Sequence, residues 1–165
     1  MNLIKEKLKD GNKNLVKLIL ELLSHLIDTL ESHINNYSDF LIPPLLSNLS
    51  DKNIIIKQEC LKCIRKWIKY QDFKIFCYYF PQLLINDNYE MRYSILDLMI
   101  ENCDLITKNY KQSFFSEIIN SLLICLQDRN LTIRNKTEEL MKKFHLINKD
   151  DYIKKTKSFM RLQNY

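Results

Sequence analysis

A chain of 165 residues, 46% apolar and 27% charged, has the balance of a globular domain and is long enough to bury one core. It contains one glycine and three prolines. Such a composition excludes folds rich in β-hairpins, because their tight turns need glycine, and it favours long helices. We therefore expect an all-α fold.

The charge is moderate, since Lys and Arg outnumber Asp and Glu by 25 to 20 and give a net charge of +5. That balance suits an acidic partner without requiring nucleic acid. The five cysteines are an odd number set among apolar residues, and we see no N-terminal signal pattern, so we expect a reducing, intracellular setting. No run approaches about 18 apolar residues, and we expect no membrane span.

Four similar segments follow one another along the chain, each opening on a leucine. They read LKDGNKNLVKLILELLSHL from Leu8, LSDKNIIIKQECLKCIRKWI from Leu49, LINDNYEMRYSILDLMIENC from Leu84 and LQDRNLTIRNKTEELMKKF from Leu126. Their starts lie 41, 35 and 42 residues apart, close to the period of about 40 residues of two-helix HEAT repeats. This spacing predicts a HEAT-type α-solenoid, an armadillo-like helical fold of about four antiparallel helical hairpins plus a C-terminal helix.

Each segment is predicted to form the second helix of its hairpin. Residues 1–8 leave room for only about two turns of a first helix, so the opening hairpin looks short and its outer apolar face uncovered. Later first helices are expected at 37–49, 73–84 and 113–126, with kinks or late starts at Pro43, Pro44 and Pro81. The array then covers 1–148, and 149–165 form a basic helix or tail that closes the stack.

Three positions of the repeat lie on one helical stripe and predict the core. Counted from the leading leucine as zero, position seven holds Leu15, Ile56, Met91 and Ile133, position fourteen holds Leu22, Cys63, Leu98 and Leu140, and position fifteen holds Leu23, Ile64, Met99 and Met141. Trp67, at position eighteen, is expected to be a core residue as well. The aromatic cluster at 73–80 fits either core packing or a stacking surface for bases.

We find no catalytic motif. Cys60 and Cys63 form a C-x-x-C pair, which can be half a zinc site or a redox dithiol, but the same columns are mostly apolar in the other repeats, which favours core packing. The three histidines are scattered, and one glycine cannot build a phosphate-binding loop. We expect a non-enzyme with no cofactor and no metal.

The turns inside the hairpins are rich in Asp and Asn, which can cap the following helix. Stacked repeats bring these turns to one edge, which we predict to be a binding surface. The candidate residues are Asn12, Lys13, Lys52, Asn53, Asn88, Arg92, Arg129, Asn130 and Arg134. A basic column at Lys57, Arg92 and Arg134 opposes the helix dipole, so it serves either a partner or a ladder to acidic groups of the adjacent turns.

The turn motifs carry a family resemblance. LKDGNKNLV from Leu8, CLKCIRKWI from Cys60 and CLQDRNLTIRNK from Cys125 resemble the TOG domains of the ch-TOG/Minispindles microtubule polymerases, most closely a later, fourth-type domain, over about residues 3 to 148. The resemblance implies binding of αβ-tubulin through the intra-repeat turns, without catalysis. A TOG domain usually opens with a repeat whose turn presents a tryptophan to β-tubulin, and the resemblance does not include that repeat.

These observations predict a tubulin- or microtubule-binding module of the cytoplasm and cytoskeleton, acting at microtubules and spindle poles, with further TOG modules or spindle-pole adaptor proteins as other partners. The alternative is a HEAT-repeat adaptor that receives another protein on a helix face and does not bind tubulin. Nucleic-acid binding through the tail at Lys154 to Arg161 is a third, disfavoured hypothesis, and no membrane partner is expected.

Overall fold

The computed structural model describes residues 1–70, 73–109 and 112–147. Over those residues the backbone forms α-helices, two 3₁₀ segments (Glu31–Tyr37 and Asn48–Ser50) and no strand. The helices are α1 Asn2–Lys7, α2 Lys13–Leu30, α3 Ser38–Ser47, α4 Ile54–Tyr70, α5 Lys74–Cys77, α6 Phe80–Leu84, α7 Tyr89–Glu101, α8 Cys103–Asn109, α9 Gln112–Cys125 and α10 Leu131–Ile147. The predicted all-α, HEAT-type solenoid is confirmed.

The chain divides into two compact units, Met1–Ile75 and Phe76–Tyr165. In unit 1 the second helices α2 and α4 make the most extensive contact, and the first helices α1 and α3 pack on each other beside them. Ion pairs join α2 to the α4 hairpin near the helix starts, through Lys13 and Asp51, and near the helix ends, through Asp28 and Lys66. Because starts meet starts and ends meet ends, α2 and α4 run parallel.

Unit 2 has the same plan. First helix α6 packs on α9, second helix α7 packs on α10, and α8 packs on α7 and α10. Arg92 near the start of α7 pairs with Asp128 just before α10, and Asp97 pairs with Lys136 further along. The second helices of this unit are therefore parallel too.

For the long helices, the observed bounds agree with those predicted from the sequence. The second helices begin after the predicted turns, and α3 and α9 match the predicted first helices within a few residues. The segment predicted as one helix over 73–84 is instead broken into α5 and α6. Pro81 stands at the second position of α6, where its missing amide leaves no helical hydrogen bond unmade. Helix α8 was not predicted.

The predicted core columns are buried in the second, third and fourth hairpins. The first hairpin departs from them, since Leu15 is only half-buried and Leu22 is 47% exposed. The prediction that Leu22 is a core residue is therefore wrong. In unit 1 the same column is buried at Cys63, whose Sγ donates to the Leu20 carbonyl of α2, and in unit 2 it is buried at Leu140 of α10, which packs on α7.

Trp67 is fully buried, as predicted. The aromatic cluster is mainly core, because Phe73, Phe76 and Phe80 are buried and only Tyr78 is largely exposed. No helix within the described ranges is long and apolar enough to cross a membrane. The predicted C-terminal helix or tail at 149–165 lies outside the described residues.

Candidate binding surface at the intra-repeat turns

All four intra-repeat turns have one backbone design. The side-chain oxygen of an Asp or Asn accepts a hydrogen bond from the amide two residues later, which closes an Asx turn. The N···O distances are 2.9 Å for Asn12 to Asp10, 2.9 Å for Asn53 to Asp51, 2.9 Å for Asn88 to Asn86 and 2.8 Å for Asn130 to Asp128. The recurring motif is therefore an Asx residue, a variable residue and an asparagine.

The asparagine that ends each motif caps the next helix. Its side-chain oxygen accepts from an amide in the first turn of α2, α4, α7 or α10, a cap that stabilises a helix by about 1 kcal/mol. The distance from the backbone amide nitrogen to the capping oxygen is 3.0 Å for Asn14 to Asn12, 2.9 Å for Ile55 to Asn53, 3.1 Å for Met91 to Asn88 and 2.9 Å for Thr132 to Asn130. Four of the nine candidate residues thus have a structural role in the turn.

The turns of each unit are tied together by a side chain placed just before the leading leucine. In unit 1, the buried Asn48 donates from Nδ2 to the carbonyl of Leu8 in the preceding turn, at 3.0 Å. In unit 2, Cys125 donates from Sγ to the equivalent carbonyl of Leu84, at 3.2 Å. This repeated contact holds neighbouring turns in register, and the sequence motifs alone did not identify it.

The variable middle residue of each turn is exposed. In the second and fourth turns it is a cation, Lys52 or Arg129, and the first helical residue beyond the cap is an exposed aliphatic, Ile54 at 55% or Leu131 at 60%. We call Lys52 with Ile54 the unit 1 tip, and Arg129 with Leu131 the unit 2 tip. The sequence identified the two cations but not their aliphatic neighbours, which lie outside the predicted core columns and outside the candidate set.

Lys13 forms an ion pair between the two turns of unit 1. Its Nζ lies 2.5 Å from Oδ2 of Asp51. Partial burial alone would raise the pKa of Asp51, but the hydrogen bonds from Lys13 and from the Asn53 amide outweigh it and hold that pKa below its usual value. Lys13 therefore acts as a rung between adjacent turns.

The Asp51 carboxylate should make unit 1 sensitive to acid. A carboxyl with a lowered folded-state pKa contributes stability above its unfolded value near 3.9, and that contribution is lost as the pH falls through the folded value. Asp51→Asn keeps the turn acceptor, as Asn86 does in the third turn. We expect it to lower the free energy of unfolding by about 0.5–1 kcal/mol at pH 7, since the pair is partly exposed.

Urea titrations at several pH values test this expectation, and the difference from the wild type should disappear on acidification below the folded-state pKa. Asp87→Asn is the matched control, because it removes the same charge from the exposed middle position of another turn. A difference that stayed constant down to the lowest pH would show that the Asp51 charge is not responsible.

Arg92 has the ladder role that the sequence left as one of two alternatives, whereas Arg134 bonds within its own turn. Arg92 is 7% exposed, its Nε lies 2.7 Å from Oδ2 of Asp128, and its Nη1 donates to the Asn86 carbonyl at 2.5 Å. Arg134 donates from Nη1 to the Asp128 carbonyl at 2.6 Å. Arg92 is thus placed to hold the turns rather than to reach a partner. Among the exposed candidates, Asn12 and Lys13 are engaged within the turns of unit 1, and Lys52 and Arg129 are the cations of the two tips.

A groove of about 650 Å³ lies between the two turns of unit 2. Its rim carries the exposed side chains of Ile85 and Ile124 as well as Arg129, and the Arg92–Asp128 pair lines it. The unit 2 tip thus continues into an aliphatic surface with a cation beside it. Cys125 also lines the groove, but burial and the Asp128 charge raise the pKa of its thiol to about 11, which makes it a poor nucleophile. The groove therefore has the character of a contact surface.

The cysteines are built into the core. Cys60 donates to the Leu45 carbonyl at 3.0 Å and Cys63 to the Leu20 carbonyl at 3.0 Å. Burial raises the pKa of Cys60 well above the normal thiol value and that of Cys63 to about 12. Thiols of this kind are poor nucleophiles and poor metal ligands, and the described residues contain no cluster of three or more metal-binding side chains.

Three solved structures show the same fold. A TOG domain from work on TOG-tubulin binding specificity, microtubule dynamics and mitotic spindle formation gives a TM-score of 0.77 at 18% identity, covering 92% of this chain and 58% of that one. A crescerin TOG domain, from an array that regulates microtubules in the primary cilium, gives 0.73 at 20%, covering 95% and 66%. The MAST/Orbit N-terminal domain gives 0.72 at 13%, covering 98% and 78%.

The likeness to TOG domains predicted from the turn motifs is therefore confirmed at the level of the fold. This chain spans 58% and 66% of the length of the first two structures. Resemblance to a fourth-type domain in particular stays a prediction. No curated protein sequence matches the chain.

One family model matches almost the whole chain. It describes the TPR repeats of dynein axonemal assembly factor 5-like proteins and covers residues 1–152, which includes all four hairpins. The chain belongs to the dynein axonemal assembly factor 5-like repeat family, with the fold of a TOG domain.

Proposed function

We propose that this chain is a non-catalytic module that binds αβ-tubulin through its turn edges and contributes to microtubule dynamics. The observation that carries the proposal is the pair of tips, each of which presents an unburied cation and an exposed aliphatic side chain on a rigid, capped turn. The fold that these tips stand on is the one found in TOG domains.

The chemistry of the tips suits an acidic protein surface. Exposed Lys52 and Arg129 attract carboxylates and raise the rate of association, while Ile54 and Leu131 supply apolar area that is desolvated on contact. Because the turn backbone is fixed by Asx and capping hydrogen bonds, little conformational entropy is lost on binding. Asn12, Asn53, Asn88 and Asn130 then contribute by shaping the edge, with Lys13, Arg92 and Arg134 as its internal supports.

In a cell we place the module on microtubules in the cytoplasm and cytoskeleton, including spindle poles. Linkage to further TOG modules or to spindle-pole adaptors would raise the local concentration of tubulin at a growing end without requiring tight binding by each module. The two tips belong to different units, so each contributes its own contact.

A second candidate function is an adaptor in the assembly of axonemal dyneins. It is favoured by the family model, which matches residues 1–152 and carries that role in its name. An adaptor of this kind would use helix faces of the array to receive a protein client. The charges of the tips would then be dispensable.

The deciding experiment is co-elution of the purified chain with unpolymerised αβ-tubulin on a size-exclusion column at low salt, where surface charge is least screened. We expect a shifted peak for the wild type. Lys52→Glu/Arg129→Glu should weaken binding by about tenfold or more, because each reversal places like charges together. Arg134 is unsuitable for this test, since it holds the Asp128 carbonyl.

The matched control is Lys69→Glu/Lys142→Glu. It reverses one exposed lysine in each unit, near the opposite ends of α4 and α10, and leaves the same net charge. It should co-elute as the wild type does. A wild type that never shifts with tubulin, or tip and control variants that bind equally well, would reject tubulin capture by the turn edge and leave the adaptor as the better hypothesis.

A further inference from the structure

Helix α2 has an exposed face whose equivalent positions are buried in every later hairpin. At repeat positions seven, eleven and fourteen, the second, third and fourth hairpins bury their side chains almost completely. The buried residues are Ile56, Cys60, Cys63, Met91, Ile95, Leu98, Ile133, Thr137 and Leu140. In the first hairpin, Leu15 and Ile19 are half-buried and Leu22 is 47% exposed. We call Leu15, Leu18, Ile19 and Leu22 the open face of α2.

Leu18 adds to this face without being required by the repeat. It is 60% exposed, and its equivalents Glu59, Ser94 and Lys136 are polar. Position ten therefore needs no apolar residue inside a hairpin. A leucine at this position, one turn from Leu22 on the same side of the helix, extends an unpartnered aliphatic stripe.

The later hairpins reveal what covers such a face. In unit 1 the second helix α2 lies parallel to α4 on the equivalent columns, and Cys63 donates to the Leu20 backbone of α2. The buried side chains of α2 are Val16, Leu20, Leu23 and Ile27, which are aliphatic, and Ser24, whose hydroxyl lies beside the Cys63 thiol. In unit 2 the second helix α7 packs on α10, where Leu140 is buried. The natural occupant of the open face is thus a parallel helix with an aliphatic stripe.

The charges beside the face specify the occupant further. The Asp that opens a turn receives a cation from the preceding hairpin, as Asp51 receives Lys13 and Asp128 receives Arg92. Asp10 holds the equivalent place in the first turn, and it is paired only locally, with Lys7 at 3.0 Å. It is therefore available to a cation in the first turn of an incoming helix.

The other end of the face repeats the pattern. Lys66 of α4 pairs with Asp28 near the end of α2. The residue of α2 at the same repeat position as Lys66 is the exposed His25. An acid near the end of an incoming helix would lie beside it. The occupant should therefore have a basic start, an aliphatic face and an acidic end, which are the features of α2 itself.

We propose that the open face of α2 is a docking site for the second helix of another HEAT-type hairpin, which lies parallel to α2, covers Leu18 and Leu22 with aliphatic side chains and offers a cation to Asp10. The inference does not depend on tubulin binding, because none of these residues belongs to a tip.

Neither α2 nor α10 of a second copy of this chain offers such a stripe. The aliphatic face of its α2 is already buried in its own unit. Its α10 has Arg134, Glu138, Met141 and His145 at the positions that correspond to Val16, Leu20, Leu23 and Ile27. A helix with this polar face would leave Leu18 and Leu22 without apolar contacts.

The test uses a fluorescent peptide with the sequence of residues 12–30, which contains the basic start, the aliphatic face and the acidic end of α2. In this probe Leu18→Lys and Leu22→Lys remove the second apolar stripe, and a lactam between Lys17 and Glu21 stabilises the isolated helix. Fluorescence anisotropy is measured against the full chain. We expect saturable binding that Leu18→Glu/Leu22→Glu in the chain weakens by about tenfold or more.

Two controls separate docking from general stickiness. Ile55→Glu/Leu105→Glu alters two exposed aliphatic residues elsewhere and should bind the probe as the wild type does. Asp10→Asn keeps the Asx acceptor and should weaken binding of the probe by about two- to fivefold. It should have no effect when the probe carries Lys13→Met. That pattern would identify the predicted contact between the two charges.

The proposal is overturned if the wild type does not bind the probe, or if Leu18→Glu/Leu22→Glu binds it as well as the wild type with an unchanged melting curve. It is also overturned if sedimentation velocity finds a wild-type dimer that these two substitutions abolish, because the open face would then be occupied by a second copy.

Discussion

Replacing Trp67 with alanine is expected to lower the free energy of unfolding by about 3–5 kcal/mol. The side chain lies on α4 in unit 1 and is fully buried, so the substitution removes a large apolar contact area and leaves a cavity that the surrounding helices can close only in part. A loss of this size is a large share of the total stability of a domain, which is about 5–15 kcal/mol.

The measurement is urea unfolding followed by far-ultraviolet circular dichroism, since Trp67 is the single tryptophan and its fluorescence is lost in the variant. Trp67→Phe should cost clearly less, because it retains most of the apolar volume. Tyr78→Ala is the control at an aromatic residue that is 73% exposed, and it should change stability by less than about 0.5 kcal/mol. A Trp67→Ala variant as stable as Tyr78→Ala would contradict a packed position.

The burial of Trp67 could be predicted because it depends on a pattern within the chain. The same repeat position falls on the apolar side of several second helices, and the period of the α-helix then places it inside. The prediction failed at Leu22 for a reason outside its own helix. At Cys63 the column is covered by the second helix of the preceding hairpin, so burial there depends on a neighbour as well as on the helix that carries the residue.

In the turns, too, local features could be predicted from the sequence and long-range contacts could not. Asp and Asn in short clusters identified the caps, because the hydrogen bonds that they make span only two or three residues. The sequence could not decide which cations are engaged. Lys13 meets Asp51 across 38 residues of chain, and Arg92 meets Asp128 across the whole of one hairpin, so both pairings depend on how the hairpins stack.

The exposed partners of the tip cations were missed for a related reason. Ile54 and Leu131 follow a capping asparagine and open an amphipathic helix, where a local pattern assigns aliphatic residues to the core by default. Only the direction of the first helical turn reveals that they point outward. The break between α5 and α6 and the short helix α8 were missed because a few residues contain too little periodicity to define where a short helix begins or ends.

Arg92→Met is expected to lower the free energy of unfolding by about 2–4 kcal/mol. The guanidinium and the Asp128 carboxylate are each about nine-tenths buried at the side chain, so removal of one leaves the other charged and desolvated. The substitution also removes the donor to the Asn86 carbonyl. Urea unfolding of the full chain measures the loss, with the melting temperature as an independent check.

A double-mutant cycle then separates the ion pair from the rest of the contact. Asp128→Asn retains the oxygen that accepts from the Asn130 amide, as Asn86 does in the preceding turn, so Arg92→Met/Asp128→Asn should be more stable than additivity predicts by about 1–3 kcal/mol. The exposed Lys17–Glu21 pair on α2 should give a coupling of only about 0.3–0.5 kcal/mol. Additive losses at Arg92 and Asp128 would mean that each residue acts through the turn carbonyls alone. A large coupling would identify their ion pair as the contact that fixes the turn from which Arg129 projects.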